Sequence, residues 1–168
     1  MNVRNAVLGV CLLVVCTTVN ASTVNTGQFQ LPLDMGKVWS CGSSLGYTKD
    51  EPWGQPHFNF NGLGNNDNRY HTGEDWNGWC GGDSDLGQPL YAIADGVVYS
   101  VDSVDNSDAG KWVSIIYNLP DAKDITSIYF HLATIDAGIA GGSPVVTGQL
   151  VARIGNTGIG PDAAHLHW

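Results

Sequence analysis

Five histidines occur in the 168 residues, and four of them sit at spacings that could do chemistry. The most suggestive is His165-Leu166-His167. On a strand, residues two apart point to the same side, so both imidazoles would share one cavity while Leu166 faces the core. Paired imidazoles suit metal binding or proton transfer. The second element is His71-Thr72-Gly73-Glu74-Asp75. In an extended segment, positions four apart share a face, so His71 and Asp75 converge on one ion. Gly73 relieves crowding between them, and Glu74 points away to the surface. An imidazole with a carboxylate is a good partial shell for zinc. The third is His131 in Tyr129-Phe130-His131-Leu132, on the polar side of an otherwise apolar strand.

Each element has a plainer reading. His131 alone could face solvent or bond a loop, His71 and Asp75 could belong to an ordinary surface loop, and the closing pair could be bystanders. His57 reads as loop packing. Trp53, Phe58, Phe60, Trp76, Trp79 and Trp112 could line a substrate groove, with core packing the better assignment for most.

The elements that must carry these residues are strands. Apolar and β-branched runs lie at 89–94, 97–101, 111–117, 125–132, 145–146 and 150–154. Asp95-Gly96 reads as a hairpin turn joining the first two. Alternation in 125–132 puts Ile128, Phe130 and Leu132 on one face and Tyr129 and His131 on the other. No window of a dozen residues has a helical period. The 22 glycines and 14% charged residues suit a loop-rich, mainly β chain with antiparallel strands.

Taken in order, these blocks resemble the lysostaphin-type (LytM-type) zinc endopeptidases of cell-wall turnover. That family has a His-x-x-x-Asp element, a Gly-x-Pro hairpin (here 87–98), a Tyr-x-His-Leu strand end, a glycine-rich stretch (here 148–158) and a closing His-x-His. The resemblance runs from about residue 69 to His167 and leaves 22–68 unmatched. It implies a small, antiparallel, partly open barrel or sandwich of the lysostaphin-like peptidase type, with the site in a groove across the sheet. It implies one zinc ion per chain held by His71, Asp75 and His167, with His131 and His165 as catalytic histidines that do not ligate. Three protein ligands and an open fourth position are the pattern of a catalytic zinc. The implied reaction is hydrolysis of peptide bonds in the stem peptides or cross-bridges of bacterial peptidoglycan. Relatives run on past the last motif, so the domain at 69–168 is expected to be C-terminally incomplete, its last strand cut short. The alternatives are an inactive wall-binding or amidase-regulating module on the same fold, and a secreted zinc peptidase acting on proteins.

The remaining features concern export. Residues 1–5 carry Arg4, an apolar run follows at 6–16, and Val19-Asn20-Ala21 offers small residues at the spacing of a signal-peptidase site. Residues 1–21 therefore read as a secretory signal, too short for a membrane anchor, leading to the periplasm or the medium. A lipoprotein signal needs a small residue before Cys11 or Cys16, and both are preceded by valine. Residues 22–68 read as an irregular segment packed on the domain. Once the signal leaves, Cys41 and Cys80 remain, and an exported pair defaults to a disulfide. The alternative makes Cys80 a metal ligand. A net charge of −9 argues against nucleic acid or an anionic membrane as partner. Oligomeric state is not legible.

Overall fold

The computed structural model describes residues 29–41, 47–51, 71–117, 124–158 and 163–168. The proposed signal, His57, Trp53, Phe58 and Phe60 lie outside the described residues.

Ten strands and one short 3-10 turn make up the described architecture. The strands are β1 (Tyr47–Glu51), β2 (Asp75–Gly78), β3 (Pro89–Tyr91), β4 (Gly96–Asp102), β5 (Trp112–Tyr117), β6 (Ile125–Tyr129), β7 (Thr134–Ile135), β8 (Pro144–Val145), β9 (Leu150–Arg153) and β10 (Leu166–His167). They form three sheets in the orders β1-β2-β10, β3-β9-β7 and β6-β5-β4-β8. Every pairing is antiparallel. The mainly β, antiparallel, open-sheet fold expected of a lysostaphin-like peptidase is what the chain adopts. The stretch 22–68, read as irregular, contains β1.

Alternation explains most of the burial. In β5, Val113, Ile115 and Tyr117 are fully buried, and they pack with Leu90, Val98 and Leu166 from other strands in one core. A bulge between Val98 and Ser100 sends Tyr99 out to solvent at 69% exposure. Cys41 and Cys80 form a disulfide, with Cα atoms 5.8 Å apart. It ties the leading segment to the loop after β2. Cys80 is therefore not a metal ligand.

Two expectations about strands are corrected. Residues 89–101 do not form a hairpin. β3 pairs with β9, whereas β4 pairs with β5 and β8, so the two belong to different sheets. The Ala92 N–H donates to the Gln149 carbonyl and the Gly148 N–H to the Ala92 carbonyl, both at 2.9 Å, which draws this end onto the turn before β9. The Asp95 carboxylate accepts from the Thr147 N–H at 2.8 Å and hydroxyl at 2.9 Å, work that a hairpin corner would not do. In β6 the core face is Ser127 and Tyr129, and Ile128 is exposed. Hydroxyl partners make this possible, with Tyr117 Oη and Ser127 Oγ 2.8 Å apart and Tyr129 Oη donating to the Tyr91 carbonyl at 3.1 Å. Burial pushes both tyrosine hydroxyls up in pKa.

Candidate metal centre

The three sheets meet at β10. Its His167 pairs with Asp75 of β2. Phe130, just past β6, forms a bridge to His167, and Gly155, just past β9, forms one to His165. One short strand thus gathers the ends of all three sheets, and the chemistry-bearing side chains collect there. Trp168 and Glu74 lock the junction by exchanging backbone hydrogen bonds of 2.9 and 2.8 Å.

His71 enters along the segment before β2 and is buried. Its Nε2 lies 3.1 Å from Asp75 Oδ1 and 3.0 Å from His167 Nδ1. His167 Nδ1 lies 2.9 Å from the same carboxylate oxygen. Two imidazole nitrogens and one oxygen therefore form a closed triangle. Each imidazole can turn either its N–H or its lone pair inward here, and with both lone pairs inward the two nitrogens and the carboxylate oxygen form a donor set that a shared cation would satisfy. Nitrogen and oxygen ligands of zinc at about 2.0–2.1 Å stand roughly 3.3 Å apart in a tetrahedron, so the triangle is close to the size zinc requires. This is the one group of potential metal ligands among the described residues. The His71 side chain is 1% exposed, while those of Asp75 and His167 are 14% and 13% exposed, so the triangle opens to solvent on one side. Burial pushes the Asp75 carboxyl up, but the His167 hydrogen bond and the charges of His165, His167 and His71 outweigh it and hold the group below the usual carboxylate range.

His131 and His165 stand beside the triangle with ring centroids 5.0 Å apart. Each ring is oriented by a carbonyl, which can only accept. His131 Nδ1 donates to the Thr157 carbonyl at 2.9 Å, and His165 Nδ1 to the Ala163 carbonyl at 3.0 Å. In its neutral form each ring therefore carries its proton on Nδ1 and presents a bare Nε2. That of His165 is 3.7 Å from Asp75 Oδ2. Burial, and after it the charge of His165, lowers the pKa of His131 to about 4. His131 is also the single residue other than glycine at positive φ among the described residues, at 58°. This left-handed step ends the alternation of β6 and turns the imidazole to the site, while Leu132 next to it is fully buried.

All five residues singled out by type and spacing come together. Glu74 is partly buried and is not among the three candidate ligands. Trp76 packs against the core, Trp112 is half-buried on β5, and Trp79 is exposed. A cavity of about 700 Å³ lies nearby, lined in part by Thr72, Gly73, Glu74 and Trp168 but by none of the five. Sequence reasoning missed Thr157. Its carbonyl orients His131, and its hydroxyl accepts from the Lys111 N–H at 3.0 Å and donates to the Leu132 carbonyl at 2.9 Å. Asn156-Thr157-Gly158 reads only as a turn, and nothing in it announces a partner 26 positions away.

Solved structures of other proteins share the fold. The chain is similar to the catalytic domain of the antimicrobial peptidase lysostaphin from Staphylococcus simulans, at 26% identity and a TM-score of 0.53, covering 72% of this chain and 77% of that one. It is similar to LytU at 25% identity and a TM-score of 0.53, covering 79% and 77%. It is also similar to the catalytic domain of the prophage-encoded M23 protein EnpA from Enterococcus faecalis, at 25% identity and a TM-score of 0.51, covering 72% and 77%. The chain spans 34% and 44% of the length of two larger solved chains, one of them a zinc containing peptidase from Vibrio cholerae. No curated protein matches the sequence. The sequence pattern of peptidase family M23 matches residues 69–168, more than half of the chain, and the chain belongs to that family.

Proposed function

We propose that the protein is an exported zinc metalloendopeptidase that hydrolyses peptide bonds in the stem peptides or cross-bridges of bacterial peptidoglycan. Residues 1–21 serve as the secretory signal, and 69–168 form the peptidase domain. His71, Asp75 and His167 hold one zinc ion, and His131 and His165 carry protons. The observation that carries this reading is the combination of the solvent-open His–Asp–His triangle with two adjacent imidazoles whose bare Nε2 atoms are fixed by carbonyls. Similarity to an antimicrobial peptidase supports the wall as substrate.

When bound, zinc supplies a Lewis acid for the scissile carbonyl and acidifies the water that attacks it. The chain's own residues do the rest. One bare Nε2 accepts a proton from that water as its oxygen bonds to the carbonyl carbon. The proton then passes to the leaving nitrogen as the carbon–nitrogen bond breaks. The second imidazole, after taking a proton from solvent on its Nε2, donates a hydrogen bond to the developing oxyanion. His131, neutral above about pH 4 in the metal-free protein, is available as an acceptor at neutral pH.

Metal analysis and digestion of purified sacculi, run together on the full chain, His167→Ala and His131→Ala, test the reading. About one zinc per chain is expected, lost or weakened in His167→Ala. His131→Ala should keep the metal and lose turnover. A wild-type chain that binds sacculi without zinc and without cleavage would leave a wall-binding module as the better account.

A further inference from the structure

Asp83 lies outside the five residues just described, on the 3-10 turn Gly82–Asp85, yet it touches the arm that carries two of them. Its Oδ1 accepts the Ala164 N–H at 2.8 Å, across 81 positions of sequence. Ala164 is fully buried, so solvent does not take over that donor. The Ala164 N–H and the Ala163 carbonyl are the two ends of one planar peptide unit. That same carbonyl accepts the Nδ1–H of His165 at 3.0 Å. The path from the Asp83 carboxylate to the His165 imidazole is therefore one rigid plane with a hydrogen bond at each end. Rotation of the plane would remove the acceptor that sets both the tautomer and the direction of the ring.

The plane has a fixed base. Asp83 follows Cys80, which is bonded to Cys41. Gly81 and Gly82 turn the corner with φ of 65° and 52°. Asp85, at the other end of the turn, accepts the Gly78 N–H on Oδ2 at 3.0 Å. On the far side of the arm, the His165 N–H donates to the Gly155 carbonyl at 3.2 Å, so the arm is held from both flanks.

We propose that Asp83 is a positioning residue for hydrolysis. Through the peptide unit joining Ala163 and Ala164, it holds His165 in the orientation that a carboxylate bonded directly to the ring would impose. This rests on the reading of His165 as a proton carrier. Asp83 is solvent-exposed, so truncating it opens no cavity in the core.

The test compares D83A and D83N with wild type in the full, zinc-loaded chain. D83N keeps an oxygen acceptor for the Ala164 N–H, and D83A removes it. Expected for D83A are unchanged zinc content, unchanged KM on soluble wall fragments, and kcat lower by roughly ten- to a hundredfold. D83N should recover most of the lost rate. Amide exchange gives a readout independent of turnover, because the Ala164 N–H should be protected in wild type and D83N and should exchange faster in D83A, where it has lost its acceptor. Equal kcat in D83A and wild type, equal damage in D83A and D83N, or an Ala164 N–H that exchanges equally fast in all three would each overturn the proposal. An inactive wild type would overturn the peptidase reading instead, and the exchange comparison would still decide the link from Asp83 to the arm.

Discussion

Replacing Asp85 with asparagine should change how the metal-free protein responds to acid, and two opposed titrations set the size of the change. Asp85 is fully buried, and burial pushes its carboxyl from 3.8 to about 6. One oxygen accepts from Gly78, and the other has no hydrogen-bond partner among the described residues. Between pH 3.8 and about 6 the folded state keeps a proton that the unfolded chain has released. Stability therefore falls as pH rises through that window, by about 3 kcal/mol in all. His131 works the other way. Its folded pKa is lowered from 6.5 to about 4, so on acidification the unfolded chain takes up the proton first. Its contribution is complete above 6.5 and is lost as pH falls towards 4. From pH 6 to 4 the two terms each change by about 2 kcal/mol with opposite sign and nearly cancel. Equilibrium urea unfolding with a chelator present, at pH 4, 5, 6 and 7, separates them. Over that range D85N should lose about 2 kcal/mol relative to wild type, and H131N should gain about as much. At pH 7, D85N should be the more stable by about 1–2 kcal/mol, after allowing for a weaker hydrogen bond to the Gly78 N–H. Three parallel profiles would refute the reasoning, because they would mean that neither group titrates differently in the folded and unfolded states.

Two further predictions concern the scaffold. The disulfide closes a 39-residue separation that contains both His71 and Asp75, so the Cys41→Ser/Cys80→Ser pair should lose roughly 4 kcal/mol in denaturant melts. A retained melting midpoint would show that packing alone fixes the leading segment. Gly155→Ala should cost about 2 kcal/mol or more, because the new Cβ would press on the Ala133 nitrogen, the His131 carbonyl and the Leu132 backbone. Unchanged melting of that variant would show that the crossing behind the site is loose.

The site was easier to read from the sequence than the sheets that hold it. His71 with Asp75, and His165 with His167, follow the two-residue period of an extended chain, so their convergence was legible locally. That the pairs meet, and that His131 joins them, came from the order of blocks shared with a family, since pairing 96 positions apart leaves no periodic trace. The hairpin reading of 89–101 failed because Asp-Gly signals a turn but not which strands it separates. The β6 faces were misjudged because hydropathy ranks Ile128 above Tyr129, whereas the core could satisfy a tyrosine hydroxyl. Asp83 and Thr157 reach the site region through hydrogen bonds in which one partner is a backbone group, and a backbone group has no residue type to recognise.

The left-handed backbone at His131 also bears on selection. Glycine or asparagine adopts that conformation with less strain than histidine, so the local fold and the chemistry favour different residues at this position. On the proposed role of His131, a library screened only for heat resistance would drift towards glycine here and lose hydrolysis without losing shape. If His131 carries protons as proposed, selection on turnover would keep a histidine at this strained position, and position 131 would distinguish working descendants of this chain from those kept only for binding.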